Sequence, residues 1–154
     1  MPSPNFTRHP LACAVQAAIA VTALSLTLGA QAAPVDGSNN TVVINSGETV
    51  SGDFYGGFSQ SGSANNNTVL INNDGTVLGN VAGGASEEGG NANDNKVTLK
   101  GGTYGSPSNE VEILGGWVMD GTRSANGNTV DISNIQSNAV IAGGLVDDDK
   151  PGKG

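Results

Sequence analysis

Histidine and cysteine are nearly missing from this chain: His9 and Cys13 are the only ones, and both stand close to its start. They fall inside residues 1–32, which read as a secretory signal peptide. Met1 to Pro10 carries Arg8 and no acid, Leu11 to Leu28 is apolar and small, and Ala30-Gln31-Ala32 supplies the small residues of a cleavage site. The chain after that segment has no thiol to bridge and no imidazole for acid–base or metal chemistry. Basic residues are scarce too. Without Arg8, five Lys and Arg face 14 Asp and Glu, a balance that excludes nucleic acid as a partner because phosphate binding needs a basic footprint. Beyond residue 33 there is no apolar run of the roughly 20 residues that a membrane-spanning helix requires, so no membrane span is expected in the mature chain.

What the chain does hold is 24 Gly and 18 Asn. Both have low helix propensity and both tolerate positive φ, so long helices are disfavoured and frequent turning is expected. These residues are periodic. The segments Asn40-Thr-Val-Val-Ile44, Asn67-Thr-Val-Leu-Ile71, Asn95-Lys-Val-Thr-Leu99 and Asn128-Thr-Val-Asp-Ile132 open four copies of one unit, 27 to 33 residues apart. Each copy reaches a glycine pair, at Gly56-Gly57, Gly83-Gly84, Gly115-Gly116 and Gly143-Gly144, two residues after Phe54, Val81, Ile113 and Ile141. Ala64, Ala92 and Ala125 each stand three residues before the next opening Asn.

Within each opening segment the side chains alternate. Asn, Val and Ile or Leu share one constant face, while the other face accepts Lys96 and Asp131; the constant face is the buried one. A short second strand ending at the glycine pair follows, and Ser59 to Asn66 and Ser86 to Asp94 read as loops. The third copy is longer, with an insertion placed around Tyr104-Gly-Ser-Pro107. Single strands of this length cannot bury a face alone, so repetition implies parallel stacking of equivalent strands about 4.8 Å apart. The expected fold is all-β, a parallel β-solenoid (β-helix) of about four imperfect repeats over residues 33–146, with a disordered charged tail at 147–154. Asn40, Asn67, Asn95 and Asn128 would then form a structural ladder, each amide bonding the next.

Chemistry is sparse. Asp53, Asp74, Glu110, Glu112, Asp120, Asp131 and Arg123 are the residues a polysaccharide-cleaving site could use, since such sites bring two acids together. No acid is expected to recur at one position of the repeat, and solvated surface charge is the expected role. The calcium-solenoid signature needs an Asp near each glycine pair, and Gly83-Gly84 is followed by Ala-Ser-Glu-Glu instead. No catalytic residue, cofactor or metal site is therefore expected. A Thr-x-Thr ice-binding face fails because Val43, Leu70 and Asp131 interrupt it. The aromatics Tyr55, Phe58, Tyr104 and Trp117, placed at strand ends, are the candidates for surface contact, with Phe58 and Trp117 at equivalent positions after a glycine pair.

A cleavable leader followed by N-x-V-x-I…G-x-V-x-G-G-x-S…G-x-A-x-x-N repeats resembles the passenger region of bacterial autotransporters of the type V secretion route, over roughly residues 33 to 146. The resemblance implies a surface-exposed parallel β-helix, commonly an adhesin, delivered by a C-terminal outer-membrane barrel. The sequence departs from that pattern in showing no barrel strands. The expected function is thus an exported, adhesive or structural passenger, or a fragment of one, without catalysis. The alternative is a small secreted carbohydrate-binding or carbohydrate-active β-helix. Expected partners are a host or neighbouring cell surface, a glycan, or a second copy through the open ends of the column. The expected location is the cell surface or outer membrane, or else the periplasm or medium.

Overall fold

The computed structural model describes residues 36–147. The signal-peptide reading of 1–32 and nearly all of the 147–154 tail lie outside the described residues. What is described is all β. The first turn comprises β1 (Thr41–Ile44), β2 (Thr49–Val50) and β3 (Phe54–Ser59), and the second β4 (Thr68–Ile71), β5 (Thr76–Val77) and β6 (Val81–Ser86). The third holds β7 (Lys96–Lys100), β8 (Thr103–Tyr104) and β9 (Val111–Val118), and the fourth β10 (Thr129–Ser133), β11 (Gln136–Ser137) and β12 (Ala139–Val146). Equivalent strands pair in parallel into three four-stranded sheets: β1-β4-β7-β10, β2-β5-β8-β11 and β3-β6-β9-β12. The chain is a β-solenoid of about four turns, each turn laying one strand into each of three sheets.

The alternation in the opening segments puts Val42, Ile44, Val69, Ile71, Val97 and Leu99 inside the column, all less than 9% exposed. Val50, Val77 and Tyr104 reach in from the second sheet and Phe54, Val81 and Ile113 from the third. Each fully buried side chain of this size contributes about 1.5–3 kcal/mol by leaving water. Because a turn covers only its neighbours, this gain requires stacking and is not realised by one turn alone.

Two corners of each turn are left-handed. Asn39, Asn66, Asp94 and Gly127 precede the ladder asparagines with φ between 56° and 66°. Gly47, Asp74, Gly101 and Asn134 make the same bend between the first and second sheets, with φ between 55° and 80°. Only Gly, Asn and Asp occupy these eight positions, the residues for which this region is accessible. The unusual composition is thus a consequence of turning sharply at fixed places.

At the first corner the asparagines bond in series. The Nδ2 of Asn40, Asn67 and Asn95 donates to the Oδ1 of the following ladder residue at 3.1 Å in each case, and their backbone N–H groups donate to the same oxygens at 2.8–2.9 Å. A second series runs beside it with the opposite polarity: Asn93 N–H donates to Asn65 Oδ1 and Asn126 N–H to Asn93 Oδ1, both at 2.8 Å.

Two expectations are corrected. The glycine pair does not end a second strand; it lies within the third, and a separate two-residue strand precedes that one in every turn. The segments after β3 and β6 are loops, as expected, and they are tied to the next turn, since Ala64, Asn66, Ala92 and Asp94 donate backbone bonds to it. The insertion of the third copy begins after Tyr104, as a turn closed by reciprocal Ser106–Asn109 backbone bonds, while Tyr104 itself pairs with Val77 inside β8.

Candidate functional surface: the outer face of the third sheet

The glycine pair decides what the third sheet shows to solvent. A Cβ on Gly56 would meet the Val69 side chain at 2.9 Å, and one on Gly57 would meet the Asn67 amide at 2.5 Å. Both glycines therefore face the column interior, and strict alternation is broken. Tyr55 and Phe58, three residues apart, consequently emerge on the same outer face. The register carries this pattern upward as two columns, Tyr55–Ala82–Leu114–Ala142 and Phe58–Ala85–Trp117–Leu145.

These columns form a second apolar cluster outside the core. Ala82 and Ala85 are fully buried and Leu114 is 1% exposed, with Tyr55, Phe58, Trp117, Met119 and Leu145 packed around them. Small residues in the second turn leave room for the rings of the first and third to lean across. Tyr55 stacks on Phe58 with centroids 5.7 Å apart and meets Trp117 at 6.3 Å, tilted by 56°. The indole Nε1 of Trp117 is buried without a hydrogen-bond acceptor among the described residues.

Beside the rings stands a polar column. Asn80 N–H donates to Asp53 Oδ1 and Glu112 N–H donates to Asn80 Oδ1, both at 2.8 Å. The Tyr55 hydroxyl donates to Asp53 Oδ2 at 3.1 Å. Burial of the ring, reinforced by the Asp53 carboxylate, pushes the Tyr55 phenol well above its ordinary value, so it remains a donor at any ordinary pH.

Of the aromatic candidates, Tyr55, Phe58 and Trp117 come together here. They lie within β3 and β9, not at strand ends. Tyr104 is corrected: it is fully buried in the column, its hydroxyl bonded to the Gly101 carbonyl at 3.1 Å, and burial pushes its phenol up to about 12.

The acids also need one correction, because Asp53 and Glu112 do share a column, two turns apart and separated by Asn80, a spacing on the order of 10 Å. Both oxygens of Asp53 are engaged in holding neighbours. Glu110 is exposed just before β9 and Asp131 faces outward from the first sheet. Asp74 sits at a left-handed corner beside a shallow recess of about 280 Å³ shared with Asn134 and Gln136. Asp120 is held below the usual carboxylate range by the Thr122 N–H and hydroxyl, bonded at 3.2 and 3.0 Å, in the turn that includes the exposed Arg123. Among the described residues no group of three or more His, Cys, Asp or Glu is arranged to hold a metal ion. No helix there is long and apolar enough to cross a membrane.

Sequence reading misses Asn80, whose backbone N–H donates to Asp53 and whose side-chain oxygen accepts from the Glu112 N–H, and Leu114, Met119 and Leu145 in the outer cluster. The signal for the first is present in Gly79-Asn80-Val81, since an Asn preceding a buried strand position is placed to bond a neighbouring turn. No family model matches the chain, and neither the curated proteins nor the solved structures compared with it give a match.

Proposed function

We propose that this chain is an exported, non-catalytic β-solenoid of the autotransporter-passenger type, serving as a structural and adhesive surface, with the outer face of the third sheet as its contact region. The observation that carries the reading is the aromatic cluster of Tyr55, Phe58 and Trp117, built outside the core across three turns. A column stabilised by its inward face needs only polar residues outside, so a second apolar surface there is something the stacking does not require. Aromatic residues with a nearby polar column are the means by which protein surfaces engage partners. The leader expected at residues 1–32 supplies the route of export.

A second reading is favoured by one feature. Half-buried rings beside the Asp53–Asn80–Glu112 column combine an apolar platform with hydrogen-bonding groups, which is the chemistry that recognises a sugar ring. On this reading the ligand is a glycan and the solenoid binds without cleaving it.

The test has two parts. Immunoblotting of fractionated source cells should place the processed chain outside the cytoplasm; an unprocessed cytoplasmic protein would sink the export reading. Adhesion of the purified chain to immobilised cells and to a glycan array should then fall with Trp117→Ala and stay unchanged with Lys100→Ala on the first sheet. Equal adhesion by both variants would sink the assigned surface, and glycan-independent adhesion would remove the second reading.

A further inference from the structure

The two apolar columns on the outside of the third sheet are bordered on both sides by a further outward column. Before the buried column that begins at Phe54 stand Asp53, Asn80, Glu112 and Val140. At the other margin Gln60, Glu87, Met119 and Asp147 follow Ser59, Ser86, Val118 and Val146. The ladder continues through this margin, since the N–H groups of Glu87, Met119 and Asp147 donate to the carbonyls of Ser59, Ser86 and Val118 at 2.7–2.9 Å. The aromatic strip therefore lies between Asp53 and Glu112 on one side and Glu87 on the other.

No cation stands in these four columns. Among the described residues the cations are Lys96 and Lys100, both exposed on β7 of the first sheet, and Arg123 in the turn beyond β9. The face thus combines rings, which attract cations and stack with guanidinium groups, with carboxylates at both margins. A neutral sugar makes no electrostatic use of acids placed in this way, whereas a cationic partner does.

On the reading of this face as the contact region, we infer that its partner is a basic polypeptide segment. The margins are about 23 Å apart, the length of about seven extended residues. Such a segment lies along the strands with Arg or Lys at each end, one head over Asp53 and Glu112 and the other over Glu87, and with apolar side chains on the rings between. Long basic side chains suit the borders because their stems cover apolar surface while their heads reach the carboxylates. A second copy of this chain does not fit, because Lys96 and Lys100 are only about 13 Å apart along β7. Four turns give the face a height of about 14 Å and an area on the order of 300 Å². That is well below the roughly 800 Å² per partner of a stable complex, so the contact is weak and adhesion through it relies on many copies acting together.

Trp117 is the only tryptophan in the chain, so its fluorescence reports on this face alone. Titration of the full chain with a blocked peptide of about seven residues, Arg at both ends and Leu alternating with Ser between them, should change that fluorescence saturably. Binding should weaken about fivefold or more in about 1 M salt. The same peptide with Glu at both ends should give no change. Glu87→Gln combined with Glu112→Gln should weaken binding about fivefold or more with the circular dichroism preserved, while the charge-matched pair Asp74→Asn and Asp131→Asn, away from the third sheet, should leave it unchanged. No saturable response, an equal response to the Glu-ended peptide, or an equal loss from the two pairs of substitutions would each overturn the inference. If the peptide fails while Trp117→Ala still lowers cell adhesion, the basic partner is wrong and the contact face stands; if adhesion is unchanged as well, both fall. Glycan binding that is lost in Trp117→Ala and intact in the Glu87 and Glu112 variant would also overturn the basic partner.

Discussion

Replacing Asn95 by Ala removes one link of the amide ladder where it is most deeply placed. Asn95 is 1% exposed and Asn67 is fully buried. The substitution takes the acceptor from the Asn67 N–H at 2.8 Å and from its Nδ2 at 3.1 Å. The Asn128 oxygen loses the Asn95 amide but keeps the Asn95 backbone donor at 2.8 Å. Two buried donors are therefore stranded, at about 1–3 kcal/mol each, for a total of about 2–6 kcal/mol. A domain with about 5–15 kcal/mol of stability loses a large share of it. The internal comparison is Asn93→Ala on the second ladder. Asn93 accepts from Asn126 N–H and the Ser124 hydroxyl, but it is only half-buried, and water replaces its bonds at about 1 kcal/mol. Urea unfolding followed by far-UV circular dichroism measures both. A loss for Asn95→Ala no greater than that for Asn93→Ala would refute the argument that burial makes the first ladder the stronger one.

The remaining expectations concern the core and its corners. Val69→Asp, at a fully buried position, should cost about 3–5 kcal/mol or abolish the fold, whereas Leu70→Asp on the outer side should cost about 1 kcal/mol or less; equal losses would reverse the assigned faces. Tyr104 has its phenol pushed up to about 12 from its ordinary 10. Its contribution is fully present below pH about 10 and is lost as pH rises through 12, so alkaline titration should remove about 2–3 kcal/mol. Tyr104→Phe should lack that component, and an identical alkaline profile in the variant would exclude Tyr104 as its source. Gly84→Ala would force a Cβ onto the Ala64 carbonyl and within 2.7 Å of the Asn95 amide, costing about 3 kcal/mol or more. Gly62→Ala, whose Cβ would meet only the Ser59 hydroxyl at 3.1 Å, should be far milder in thermal melting.

Much of the fold is legible because the code is local and repeated. Asn at a corner followed by apolar residues at the second and fourth positions can satisfy both its polar and its apolar members only if the next copy lies directly above. Four such openings in one chain therefore imply stacking. The middle strand is not legible in this way. Val50, Val77 and Tyr104 are single inward residues in two-residue strands, too short for alternation to register, and the fourth copy places the polar Ser137 there. The displacement caused by the Ser106–Asn109 turn hides the equivalence of Glu112 with Asn80 and Asp53. The outer aromatic face is half legible. Phe58 and Trp117 align on the glycine pair, but Tyr55 joins them only because both glycines face inward, which no periodic rule anticipates.

The sequence alone determined the class of fold, the number of turns and the identity of the ladder residues, since each follows from short-range periodicity and from the restriction of left-handed corners to Gly, Asn and Asp. Tertiary structure decided which residues share a column across turns of unequal length, and which aromatic lies inside and which outside. Those outcomes depend on what stacks above and below each residue, at separations of about thirty positions along the chain, where the local pattern carries no information.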